Sequence, residues 1–411
     1  MRMTLTFGIN QIISHGFGLF LFAALVPMMQ TSIEISHWHL ATIGALTQLS
    51  YLGGAMLLGL IGHHIDSGRL LLISGSVTSL LLFGMAMLND SMAILLVLTV
   101  MAASAAICWG GIVELVTRYG RPESCSTSLS TASSGTAWGF GLNGLLILLV
   151  VPLFGWRSGW IVAGVLGTLS ILLTLSLLRS LRQQVANRRV EGTGAMSARQ
   201  LFATILRERT AFLACLVCFM VGFCTMPFST WLNTYLAELS LPPALGGYTW
   251  TVTGIAGMAA GILSGKLADR KGHGVALVIV FGGFALSLLA FNYSPAHFAV
   301  LAGFGYGLMY FPMWGIVAGW VSRQYASKAT MQINGIGMVT FGLGGALGNL
   351  VAGAIHQFSG SLEGVYGLVT LVALLLTLLA VFICMTEQRR PGLGYKLLSS
   401  SGSASNRSAT S

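Results

Sequence analysis

The chain has 411 residues, of which 55% are hydrophobic and only 8% charged, and its formal net charge is +10. Soluble globular domains carry about a quarter charged residues, so a water-covered fold, a disordered chain, a coiled coil and a soluble enzyme are excluded. The 21 Lys and Arg lie scattered between apolar runs rather than on a polar domain, which excludes nucleic acid as a partner and leaves a polytopic helical membrane protein.

Apolar runs near the length of a bilayer-crossing helix fall at 7–30, 40–62, 70–88, 92–115, 129–151, 156–178, 211–232, 244–264, 275–292, 297–320, 331–355 and 365–385. That predicts twelve spans. The first run is too long for the apolar core of a cleavable signal. It carries Gln11, Ser14, His15 and Gly18 at i, i+3, i+4 and i+7, one polar helix face that cannot meet lipid. The loop after the second run reads Gly62-His63-His64-Ile65-Asp66-Ser67-Gly68-Arg69. The fourth run holds Trp109 and the one intramembrane acid, Glu114, with Arg118 four residues on, a favourable pair order. The fifth is rich in glycine (Gly135, Gly139, Gly141, Gly144), as close helix packing requires.

The stretch 179–210 is the longest hydrophilic segment and carries seven of the arginines. It separates 1–178 from 211–390, six spans each, and 391–411 is a Ser-rich tail expected to be disordered. In the seventh run, Cys215 and Cys218 read as packing residues of an apolar helix rather than a redox pair. The same run offers Thr225, Ser229, Trp231 and Asn233, and the tenth offers Tyr306, Tyr310 and Trp314 as an aromatic stripe. The loop between the eighth and ninth runs reads Gly265-Lys266-Leu267-Ala268-Asp269-Arg270-Lys271-Gly272.

With both termini on one side, twenty of the 21 basic residues fall on that side and only Arg157 on the other. The positive-inside rule makes it cytoplasmic. The halves also repeat. Gly62…Asp66 matches Gly265…Asp269 at an offset of 203, and Trp109-Gly110…Arg118 matches Trp314-Gly315…Arg323 at 205. Phe140-Gly141-Leu142 matches Phe341-Gly342-Leu343 at 201. Several matches in one order indicate a duplicated six-helix unit.

Twelve spans, a long central loop and the Gly265–Gly272 loop resemble the major facilitator superfamily. The resemblance implies an all-α fold of two pseudo-symmetric six-helix bundles and a secondary transporter of the bacterial inner membrane, working by alternating access. It places Gln11, His15, Trp109, Asn233, Tyr306, Tyr310 and Trp314 on spans one, four, seven and ten, which line the cavity in that family. It makes Gly62, Asp66 and Arg118, with Gly265, Asp269, Arg270, Gly272 and Arg323, the expected gate. Proton coupling is the family default, and His15 and Glu114 are the titratable candidates. The charge-free span interiors point to a small neutral or amphipathic solute, since an anion carrier needs a buried cation. No metal, cofactor or nucleotide site is expected, and the chain is expected to act as a monomer. The competing expectation is a receptor or sensor on the same fold.

Overall fold

The computed structural model describes residues 2–185 and 194–388; the tail 391–411 and Asn187 lie outside the described residues. Among the described residues, twelve helices are long and apolar enough to cross a membrane. Spans one to six are Arg2–Met29, Thr42–Leu60, Ser67–Met87, Ser91–Tyr119, Pro122–Phe154 and Trp156–Leu181. Spans seven to twelve are Arg209–Glu238, Ala244–Lys271, His273–Tyr293, Pro295–Ser322, Ser327–Ser359 and Glu363–Glu387. Short polar residues start them. Asp66 and Asp90 accept the backbone N–H groups of Arg69 and Ala93, capping spans three and four.

The duplication seen in the sequence is repeated in space. In the first half, span two packs on four, three on four and six, and one on five. In the second, eight packs on ten, nine on ten and twelve, and seven on eleven, the same set shifted by six spans. The halves meet symmetrically too: span five packs on eight and ten, and span eleven on two and four. Two six-helix bundles therefore face each other across a pseudo-twofold axis.

Two features depart from the sequence expectation. Span one is α-helical over Arg2–Gln11 and Gly18–Met29 but π-helical over Ile12–Phe17. The wider turn splits the expected common face: Gln11 turns to Thr136 of span five, and Gly18 to Thr78 of span three. The cause is a crossing with span five. A Cβ at Gly16 would lie 2.6 Å from Gly139 Cα, so the two backbones touch, and Asn143 Nδ2 donates to the Gly16 carbonyl at 2.9 Å. In addition, the stretch read as a loop carries a helix, Ala198–Arg207, opened by a Ser197–Gln200 capping box.

Cys108, Cys125, Cys215, Cys218 and Cys224 are buried thiols, so Cys215 and Cys218 form no disulfide with each other.

Candidate functional site

The halves join at the end that carries Arg2, the Asp66 and Asp269 loops and the Ala198–Arg207 helix; we refer to it as the basic rim. Two arms make the joint. In the first, Asp269 ends span eight and reaches the first turns of span five. Its Oδ1 accepts the Ser126 N–H at 3.0 Å, and its Oδ2 accepts the Thr127 N–H at 2.7 Å and the Thr127 hydroxyl at 2.6 Å. A carboxylate on bare N–H groups at the positive end of a helix is a favourable electrostatic contact. The glycines of the loop make it possible. A Cβ at Gly265 would lie 2.6 Å from Thr127 Cα, and Gly272 turns the chain at φ +101°. Beside this contact Ser126 Oγ lies 2.8 Å from His273 Nε2, and His273 Nδ1 lies 3.6 Å from Glu387.

The second arm has inverted chemistry. Ser327 and Lys328, 201 positions after Ser126 and Thr127, start span eleven. Lys328 is buried, and its Nζ donates to the Ile65 carbonyl at 2.6 Å and to Ser67 Oγ at 3.3 Å. Here the helix end supplies the charge and the opposing loop supplies the carbonyl. Ser327 Oγ donates to Glu114 Oε1 at 3.2 Å, and the same oxygen faces Arg118 at 3.6 Å. Glu114 is fully buried. Gln332 completes the arm: its Nε2 donates to the Gly59 carbonyl and contacts His63 Nδ1, both at 3.2 Å. Burial, the adjacent His64 and Lys328 hold His63 below the usual histidine value.

The expected gate residues therefore gather at one rim. Asp269 meets the span-five backbone, and Arg323 lines the same cleft of about 1170 Å³. Arg118 pairs with Glu114, and Asp66 caps its own helix. Arg270 is exposed, and Gly62 is buried against Leu58 and Met331. Sequence reasoning missed Ser126, Thr127, Lys328 and Gln332. The repeat held the signal, because the start of span eleven must oppose the first loop as the start of span five opposes the second.

Further from the rim the hydrogen bonds between halves run as far as Ser133 Oγ to the Phe311 carbonyl. At about this depth His15 lies between Ser14 Oγ (3.0 Å) and Tyr51 OH (3.4 Å), its ring edge-on to Tyr51. Tyr51 lies near Tyr310 of the other half. Trp314 packs against the cores of both halves, alongside Trp109 and Tyr51. Two buried donors, Gln11 Nε2 and Trp109 Nε1, have no hydrogen-bond partner. Tyr306 stands behind this group, stacked between Phe228 and Tyr310 in the second core. Asn233 lies elsewhere, at the far end of span seven against Gly246.

The profile of the Major Facilitator Superfamily matches residues 11–330. A curated relative, the sialic acid transporter NanX of Escherichia coli (strain K12), is 23% identical over 273 residues. The match covers 65% of this chain and 65% of that protein, so the chain spans just under two thirds of its relative's length. Among solved structures, the transporter FucP in its outward conformation aligns with a TM-score of 0.71 at 12% identity, over 93% of this chain and 98% of that one. The proton:xylose symporter XylE aligns at 0.72 and 13%, over 92% and 94%. The human organic anion transporter MFSD10 aligns at 0.71 and 16%, over 92% and 99%. At these identities the structures establish the fold.

Proposed function

The chain is a member of the Major Facilitator Superfamily, and on that premise we propose that it carries a small neutral or amphipathic solute by alternating access, coupled to protons. The observation that carries this reading is the joint itself: two equivalent bundles are latched at one end, where, among the described residues, the hydrogen bonds between halves run from the rim to Ser133 and Phe311, near the level of His15, Tyr51, Tyr310 and Trp314. Rocking the bundles about that level exposes it to either side in turn.

The positive-inside rule puts the basic rim in the cytoplasm of a bacterial inner membrane, with both termini there and Arg157 outside. The conformer described is then outward-facing. Aromatic faces with the amide of Gln11 and the indole N–H of Trp109 suit a solute bearing hydroxyl or carbonyl oxygens. Among the described residues no Lys or Arg occurs at that depth, which supports a neutral rather than an anionic solute. Among the relatives, NanX is a sialic acid transporter and XylE a proton:xylose symporter. His15 is the proton candidate at the solute level. Glu114 is the candidate at the gate, where opening would remove Ser327 and admit water. The monomer is sufficient, because both halves of the site lie in one chain.

Solute counterflow in proteoliposomes tests this, with neutral polyols and monosaccharides run against organic acids. The expected result is exchange of a neutral solute by the native chain. His15→Gln should keep exchange while flattening its pH profile. Exchange of carboxylates alone would refute the substrate class, and an unchanged profile would remove His15 from coupling.

A further inference from the structure

The helix Ala198–Arg207 has three faces of different chemistry. Leu201 and Ile205 are buried against the protein, where the helix packs on spans seven and eleven. Phe202 and Leu206, one turn apart on the neighbouring face, are 44% and 75% exposed. Arg199 and Arg207 are exposed beside them, with Gln200 toward water. A helix in water gains nothing by displaying a phenylalanine and a leucine on one stripe, so that stripe has an occupant.

Its position says which. Glu208 is extended (φ −94°, ψ 121°), so the chain turns between this helix and span seven, and the two are not collinear. Arg209, the first residue of that span, holds its guanidinium 4.6 Å over the exposed ring of Phe382. This is where the apolar belt, continued by exposed Phe212, gives way to charge. The apolar stripe of the helix thus continues the lipid-facing surface at headgroup level, and Arg199, Arg207 and Arg209 border it.

The helix is also tied to the gate. Just before it, Met196 is held by Gln332 in a two-bond clasp: the Met196 N–H donates to Gln332 Oε1, and Gln332 Nε2 donates to the Met196 carbonyl, each at 2.8 Å. The same amide reaches Gly59 and His63 of the opposite half.

We propose that Ala198–Arg207 docks on the anionic inner leaflet through Phe202 and Leu206, and that docking, passed through Met196 and Gln332, holds the cytoplasmic gate closed. The proposal rests on the orientation given above, with the basic rim in the cytoplasm. Such a helix buries its apolar face about 5–10 Å into the headgroup boundary, and each arginine near an anionic surface favours docking about fivefold.

The test needs no solute. In a Cys384→Ala background, Leu206→Cys carries an environment-sensitive fluorophore. The chain is reconstituted in phosphatidylcholine vesicles with or without phosphatidylglycerol. Emission should shift to the blue, more so with phosphatidylglycerol, and lipids nitroxide-labelled near the headgroup should quench it. Arg199→Gln with Arg207→Gln should remove the phosphatidylglycerol increment. Water-like emission without quenching in both lipids would overturn docking. The gate is read separately by labelling Ala55→Cys, buried between spans two and eleven. Phosphatidylglycerol should slow that labelling, and Gln332→Leu should abolish the slowing while the fluorophore stays docked. Docking with lipid-independent labelling of Ala55→Cys would overturn the coupling. Adding label from each side of the vesicle reports orientation, so a wrong topology is distinguished from a wrong docking site.

Discussion

A lysine in the first turn of a helix works against the macrodipole. Lys328 sits there, and buried as well. What compensates it is in the other half: the Ile65 carbonyl, Ser67 and the nearby acids Asp66 and Glu114. In this conformer the burial of the amine depends on contacts supplied by the other half. His63 shares this neighbourhood in its neutral form. Because its value in the folded chain is depressed, the unfolded chain takes up the proton first as pH falls. The stabilising contribution is full above about pH 6.5 and is lost as pH falls below that through the folded value. Thermal unfolding of the native chain should therefore weaken more steeply on acidification than that of His63→Gln. Two curves that stay parallel from neutral to acid pH would show that His63 contributes nothing to this dependence.

At the scale of the element, the crossing of spans one and five controls where His15 points. Gly16 and Gly139 let the backbones touch, Asn143 holds the freed carbonyl, and the π segment between them carries Ser14 and His15. Gly139→Val places a Cβ 2.4 Å from Gly16 Cα, and overpacking of this kind costs about 1–3 kcal/mol. Gly144→Ala enters open space on the same helix and is the control. Melting of the purified protein should fall for the first and hold for the second; equal melting would deny the tight crossing. The spans themselves were legible from hydropathy, even the glycine-rich ones, because the same small residues that dilute hydropathy allow close packing. The π segment was not legible, since its register depends on a partner helix 127 positions away. The Ala198–Arg207 helix was hidden too, being short and set among arginines. Of the gate, Asp269 was readable from its loop motif. Lys328 was not, because in the sequence it is one more basic residue at the end of an apolar run.

For the whole molecule, the two-armed latch and the repeat describe one machine. Equivalent bundles are held at the basic rim by one carboxylate-to-helix contact and one lysine-to-carbonyl contact, and both contacts cross between halves. We propose that these contacts set which end is open. Asp269→Asn removes the charge from three hydrogen bonds while keeping the shape. Hydrogen bonds to charged groups contribute about 1.5–3 kcal/mol, so the closed-rim population should fall roughly tenfold or more against the alternative. Pulsed electron spin distance measurement in proteoliposomes reads this directly, with one label pair at Arg121 and Gln324 on the rim and another at Thr31 and Ala237 at the far end. Asp269→Asn should lengthen the rim distance and shorten the far distance together, as rocking bundles require. Distances at both ends unchanged by Asp269→Asn, or a rim that opens while the far end stays fixed, would contradict it.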